Sequence, residues 1–144
     1  MKTINEMKLS FESKSINEGF SRVAVASFAA ALDPTIEELN DIKTAVSEAV
    51  TNAIVHGYRE KLGKIYITAS ITDKNTIRIK VRDRGVGIDD IEKARQPLFT
   101  TLGGERAGLG FAVMESFTDK LTVRSAPGRG TTVTLEKKIS GKEL

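Results

Sequence analysis

Between Thr35 and Gly57 the apolar residues Leu39, Ile42, Val46, Ala49, Val50 and Ala53 recur at helical spacing, and this stripe constrains the fold more than any other part of the chain. An apolar face that long has to be buried, so the helix needs a second layer beneath it. Its start is marked by Thr35 with Glu38 three residues on, a capping box, and its stop by Gly57. Two polar residues interrupt the run. Glu48 and Asn52 sit one turn apart on the border of the stripe, with His56 a turn further along. There a carboxamide oxygen can hold a hard cation and a carboxylate can take a proton. A lone helical histidine is ordinarily structural, and His56 receives no catalytic role.

The remaining pattern supplies the partner layer. Met7, Leu9 and Phe11 alternate within residues 6 to 13 and predict a first strand. Ser15 with Glu18 predicts another capped helix reaching Leu32, with Phe20, Val23, Ala24, Ser27, Phe28 and Ala31 on its inward face. Lys64 to Asp73 and Thr76 to Asp83 predict a hairpin, and two last strands are expected at about 120 to 126 and 131 to 137 around the Pro127 to Gly130 turn. The glycine-rich connection from 84 to 110 is long for a compact domain, and such a connection is usually functional or mobile. Helical spacing resumes at Leu109 and runs to Phe117.

Within the strand Ile77 to Asp83, a period of two puts Asp83 in phase with Ile77, Ile79 and Val81, so its carboxylate points to the core side and demands a partner. Gly85 and Gly87 follow at once and permit a sharp turn or close approach by a ligand. Thr131, in phase with Val133 and Leu135, sends a hydroxyl inward. A carboxylate and a hydroxyl so placed can read the edge of a heterocycle such as adenine; taken singly, Asp83 can equally cap a turn and Thr131 can be an ordinary cross-strand threonine. Gly108 and Gly110 are expected just ahead of a helix, where backbone N–H groups and the positive helix end attract phosphate; the pair can equally be a plain helix start with a flexible leader. Arg95 and Arg106 can add positive charge, and the apolar run Gln96 to Thr101 suits a lid packed on the domain.

Composition narrows the chemistry. At 144 residues the chain reads as one domain, with no cysteine and one histidine, so disulfides and thiolate or multi-histidine zinc sites are excluded and any metal should be oxygen-ligated. Its net charge of +3, from 22 Lys and Arg against 19 Asp and Glu, is too dispersed to argue for direct nucleic-acid binding. No membrane span or secretory signal is visible, so a cytoplasmic location is expected.

In their order along the chain, Glu48 to Asn52, Asp83 to Gly87, Gly108 to Gly110, and Gly130 with Thr131 resemble the nucleotide boxes of the GHKL ATPase and kinase superfamily. The segments Phe20 to Phe28, Leu32 to Thr35, Ile42 to Tyr58 and Ala94 to Thr101 are further similar to the serine kinases of sporulating bacteria that double as anti-sigma factors. The resemblance implies an α+β fold, a two-layer sandwich with a mixed, mostly antiparallel sheet covered by helices on one face. It implies a single ATP-binding kinase domain over 1–144 with a flexible lid at about 88–108, although Leu102 to Arg106 is shorter and more glycine-rich than that lid usually is. Its ligands would be ATP or ADP with Mg2+, Glu48 the general base, Asn52 the metal ligand, and Asp83, Gly85, Gly87, Arg106, Gly108, Gly110 and Thr131 the nucleotide contacts. Its partners would be the sporulation sigma factor F, held while ATP is bound, and an anti-anti-sigma factor phosphorylated on serine. The kinase would be a homodimer, and Arg22 would contact partners, the alternative being a plain exposed arginine. Two rival expectations are a switch kinase for a stress-response sigma factor and a nucleotide-dependent binding module without catalysis. A detached histidine-kinase domain is disfavoured, since no phosphoacceptor helix pair precedes the boxes.

Overall fold

The computed structural model describes residues 1–95 and 105–141, with the backbone alone for 105–109. The elements in chain order are β1 (Thr3–Glu12), α1 (Ile16–Ala29), α2 (Ile36–Asn52), β2 (Lys64–Thr72), β3 (Thr76–Asp83), a short α3 (Ile91–Ala94), α4 (Glu105–Ser116), β4 (Lys120–Ala126) and β5 (Gly130–Lys138). The strands form one five-stranded sheet in the order β1-β2-β3-β5-β4. Every neighbouring pair is antiparallel, so the parallel component expected of a mixed sheet does not occur among the described residues.

Alternation along the strands decides which face is covered. Ile65, Ile67, Ala69 and Ile71 of β2, Ile77, Ile79 and Val81 of β3, Val133 and Leu135 of β5, and Leu121 and Val123 of β4 are all buried. Against them lie Ile42, Val46, Ala49 and Val50 of α2 and Phe111 and Met114 of α4. The predicted α2 stripe is thus the centre of the core. Its capping box forms in both directions: Glu38 N–H donates to Thr35 Oγ1 at 3.0 Å, and Thr35 N–H to Glu38 Oε1 at 3.0 Å. The same Glu38 carboxylate accepts from Ser140 N–H at 2.8 Å and Gly141 N–H at 3.2 Å, tying the chain after β5 to the start of α2.

Three expectations are corrected. First, Ser15 does not cap α1; its own backbone is already helical, so its hydroxyl is not aimed at the orphan N–H groups, and Glu18 pairs instead with Arg22 at 3.1 Å. Second, the buried face of α1 is Ser21, Val25, Ala26 and Ala29, while Phe20 and Val23 are 56% and 59% exposed. Small residues on the inward side let α1 approach α2 closely, and the bulky ones are turned out; Phe20 meets Phe11 edge-on at 6.4 Å. Third, α2 does not stay regular to Gly57: from Ala53 to Gly57 it widens into a π-turn, with Tyr58 N–H donating to Ala53 C=O at 2.9 Å. Such bulges concentrate at functional sites.

Candidate functional site

A cavity of about 370 Å³ opens between the C-terminal half of α2, the inner ends of β3 and β5, and α3. Asn52, His56, Asp83, Gly87 and Thr131 line it together with Phe111, so residues far apart in sequence meet there.

The floor is the Asp83–Thr131 pair, which face each other across β3 and β5. Asp83 is 5% exposed. Burial pushes its carboxyl above the usual aspartate range, against the opposing pull of backbone hydrogen bonds from Gly85 and Thr131. The Gly85 N–H donates to Asp83 Oδ1 at 2.9 Å, which orients the carboxylate. Gly85 is required by proximity, since a Cβ there would overlap the Gly57 carbonyl, and Gly87 by its left-handed φ of 78°. Both predicted glycines thus hold the turn that aims Asp83.

Ser125 was not anticipated as part of the site. Its Oγ donates to Gly130 C=O at 2.9 Å and accepts from Ile88 N–H at 2.8 Å. With its single proton used, the 2.8 Å contact to Thr131 Oγ1 has Thr131 as the donor, so the Thr131 lone pairs are left for a ligand or water. Nothing in the local sequence distinguishes Ser125 from other strand serines; its register opposite Thr131 does.

The wall is α2. Asn52 is buried, and among the described residues neither Oδ1 nor Nδ2 of its carboxamide has a hydrogen-bond partner. Such a group is costly to bury unless a ligand satisfies it. Glu48, half-buried, is at the same corner: an ideal Cβ placed on Gly110 falls 3.1 Å from Asn52 Oδ1 and 3.2 Å from Glu48 Oε2. Gly110 therefore serves close packing, and the expectation that Gly108 and Gly110 precede a helix is corrected. Helix α4 begins at Glu105, so Gly108 and Gly110 lie within it rather than ahead of it. Arg95 also departs from expectation, being held by Glu115 at 3.5 Å. The lid patch Gln96 to Thr101 and the segment to Gly104 lie outside the described residues, as does the side chain of Arg106. His56 lines the cavity, and Arg22, on α1, does not; its guanidinium donates to Glu18 at 3.1 Å and reaches Ser47 Oγ at 3.5 Å.

Tyr58, directly after the π-turn, was also missed. Its hydroxyl accepts from Arg84 N–H at 2.7 Å and donates to the Lys64 carbonyl, fastening the end of α2 to β2 and β3. Burial raises its pKa.

Residues 15–137 match the histidine kinase-like ATPase domain family. Over 140 residues the chain is 61% identical to the anti-sigma F factor of Thermoanaerobacter sp. (strain X514), covering 96% of this chain and 97% of that protein. It belongs to the anti-sigma F factor family. The member from Bacillus subtilis (strain 168) is 54% identical over 138 residues, with 94% of each chain covered. Among solved structures, one containing the RsbU and RsbW domains of a Mycobacterium tuberculosis protein superposes with a TM-score of 0.68 at 21% identity, over 94% of this chain and 32% of that one. A blue-light activated histidine kinase from Erythrobacter litoralis gives 0.60 at 22% identity, over 85% of this chain and 42% of that one. These two show the shared sandwich. The anti-sigma F family fits the cavity: a nucleotide-binding kinase domain accounts for a buried carboxylate at one end and an unsatisfied carboxamide beside a glutamate at the other.

Proposed function

We propose that the chain is one ATP-dependent protein serine kinase domain spanning 1–144, which in its ATP-bound state also holds the sporulation sigma factor F. The observation that carries this reading is the buried Asn52 carboxamide with no hydrogen-bond partner among the described residues, one turn from Glu48 and in the same cavity as Asp83. ATP enters with adenine against Asp83, whose carboxylate accepts from the exocyclic amino group, while the free lone pairs of Thr131 accept from a water that also donates to a ring nitrogen. The phosphates then point toward the Glu48 and Asn52 corner.

Asn52 Oδ1 suits Mg2+, a hard cation that takes oxygen ligands and draws the rest of its shell from phosphates and water; no cluster of three or more His, Cys, Asp or Glu is present among the described residues. Bound there, the ion would neutralise charge on the phosphates. Glu48 takes the proton from the acceptor serine hydroxyl as its oxygen bonds to the γ-phosphorus, and the bond from that phosphorus to the bridging oxygen breaks to leave ADP. The acceptor is a serine of an anti-anti-sigma protein, and the working species is a homodimer in the cytoplasm, with Arg22 on the partner-facing side. Among the described residues no helix is long and apolar enough to cross a membrane.

Glu48→Gln tests the reading. With labelled ATP, Mg2+ and a candidate anti-anti-sigma protein, the variant should bind ATP like the wild type and lose label transfer by about 100-fold or more. Undiminished transfer would remove Glu48 from the chemistry; no transfer by the wild type, with ATP binding intact, would favour the binding module.

A further inference from the structure

The face of the sheet away from the helices carries an uncompensated basic surface at the Asp83 end. Arg82 and Arg124 lie in one cross-strand row with Tyr66 and Thr132, and Lys80 in the next with Thr68 and Thr134. Arg84 and Arg129 extend the surface at its end, and all five cations are exposed. None of the five forms an ion pair among the described residues. In the row beyond, Arg78 meets Glu136 at 3.4 Å, and at the β1 edge Glu6 of that row meets Lys8 of the Lys80 row at 3.8 Å. Lys80, Arg82 and Arg129 line a groove of about 450 Å³ together with Thr68 and Thr132, Arg84 and Arg124 lie on the same face outside its lining, and the opposite side of the same strands forms the floor of the nucleotide cavity.

We propose that this groove docks an extended acidic segment of a partner protein. Crowded like charges repel one another, and an anionic ligand relieves that repulsion as it binds. Lys80 and Arg82, two residues apart on β3, project about 6.8 Å apart on one face, the spacing at which alternate side chains of an extended peptide also project. Carboxylates at every second position therefore meet them in register, and the arginine forks take carboxylates in bidentate fashion. The aromatic ring present is not open for base stacking, because the Arg84 guanidinium covers Tyr66 at 4.9 Å. Sequence-tolerant single-strand binders depend on such open rings, so the surface favours an acidic peptide over nucleic acid.

The test is fluorescence anisotropy of a labelled peptide of alternating Glu and Ser with the full chain. The wild type should bind it, more weakly as salt rises, and K80S/R82S should bind at least about tenfold more weakly, while Lys14→Ser, in the loop between β1 and α1, leaves binding unchanged. R124S, on the edge strand β4, provides a second exposed variant, and retained ATP binding reports folding of each. Equal peptide affinity in wild type, K80S/R82S and R124S, no binding by the wild type, or tighter binding of oligothymidylate than of the peptide would each overturn the proposal.

Discussion

Replacing Asp83 by Asn should move stability and nucleotide affinity in opposite directions. The carboxylate is 5% exposed, and burial raises its pKa above the aspartate norm despite the Gly85 and Thr131 N–H groups. A carboxyl with a raised folded-state pKa favours the fold fully at pH below its unfolded value and loses that contribution as pH climbs through the folded one. At neutral pH the ionised group is thus a burden on the nucleotide-free protein. Asn is isosteric and uncharged, and its Oδ1 can still accept from Gly85 N–H, so removing the charge should stabilise the nucleotide-free form by about 1 kcal/mol, or roughly 3–4 °C in Tm for a domain of this size. In the complex the effect reverses. With Oδ1 engaged by Gly85, the Asn amide N–H groups face the adenine amino group, donor against donor. The lost charge-assisted hydrogen bond is worth about 1.5–3 kcal/mol, or roughly 10- to 100-fold in Kd. Thermal unfolding with and without ATP, and calorimetric titration, read both effects. The wild type should also lose stability as pH rises above the usual aspartate range more steeply than the variant. A lower Tm for the nucleotide-free variant, or an unchanged ATP affinity, would refute the reasoning.

Other perturbations follow from the same geometry. Burial opposes ionisation of Glu38, yet hydrogen bonds from Thr35, Ser140 and Gly141 together hold its pKa at about 2. Its stabilisation is therefore present above the ordinary glutamate range and is lost as pH falls toward 2; Glu38→Ala should cost about 1–2 kcal/mol at pH 7 by denaturant unfolding and flatten that acid limb. Gly110→Ala adds a methyl 3.1 Å from Asn52 Oδ1 and 3.2 Å from Glu48 Oε2. It should reduce phosphotransfer by about tenfold or more without lowering Tm, since alanine favours helix by up to about 1 kcal/mol; full activity would argue against that corner as the reacting centre. Tyr58→Phe strips the acceptor from Arg84 N–H and the donor from the Lys64 carbonyl, and should lower stability by about 1–2 kcal/mol in the same unfolding assay.

Legibility in the sequence varied from element to element for physical reasons. The α2 stripe was readable because its apolar residues are large, numerous and bounded by a capping box whose two bonds both form. The strands of the β2–β3 hairpin were readable because period-two alternation matches burial on one face. In α1 two stripes compete, one of large residues and one of small. Composition favours Phe20 and Val23 for the interior, but the gap between α1 and α2 admits Ser21, Val25 and Ala29. The glycines near α4 misled for a related reason, since Gly110 looks like a loop glycine and is instead a helical residue whose missing side chain makes room for Asn52 and Glu48.

By itself the sequence determined the identity of the chemistry: which helix carries Glu48 and Asn52, that Asp83 faces inward, and that glycines flank it. Each of these depends on periodicity or on neighbours within a few residues, which the order of amino acids sets directly. Only the tertiary structure decided that Asn52 is buried without a hydrogen-bond partner among the described residues, that Ser125 accepts the Thr131 hydroxyl proton in a hydrogen bond and leaves the Thr131 lone pairs free, that Tyr58 fastens α2 to the sheet, and that five exposed cations gather on the open face. Some of those contacts, such as Ser125 with Thr131, span only 6 residues and others, such as Tyr58 with Arg84, span 26, and all depend on cross-strand register and helix rotation. Register and rotation are set by the packing of the whole core, so no local pattern encodes them.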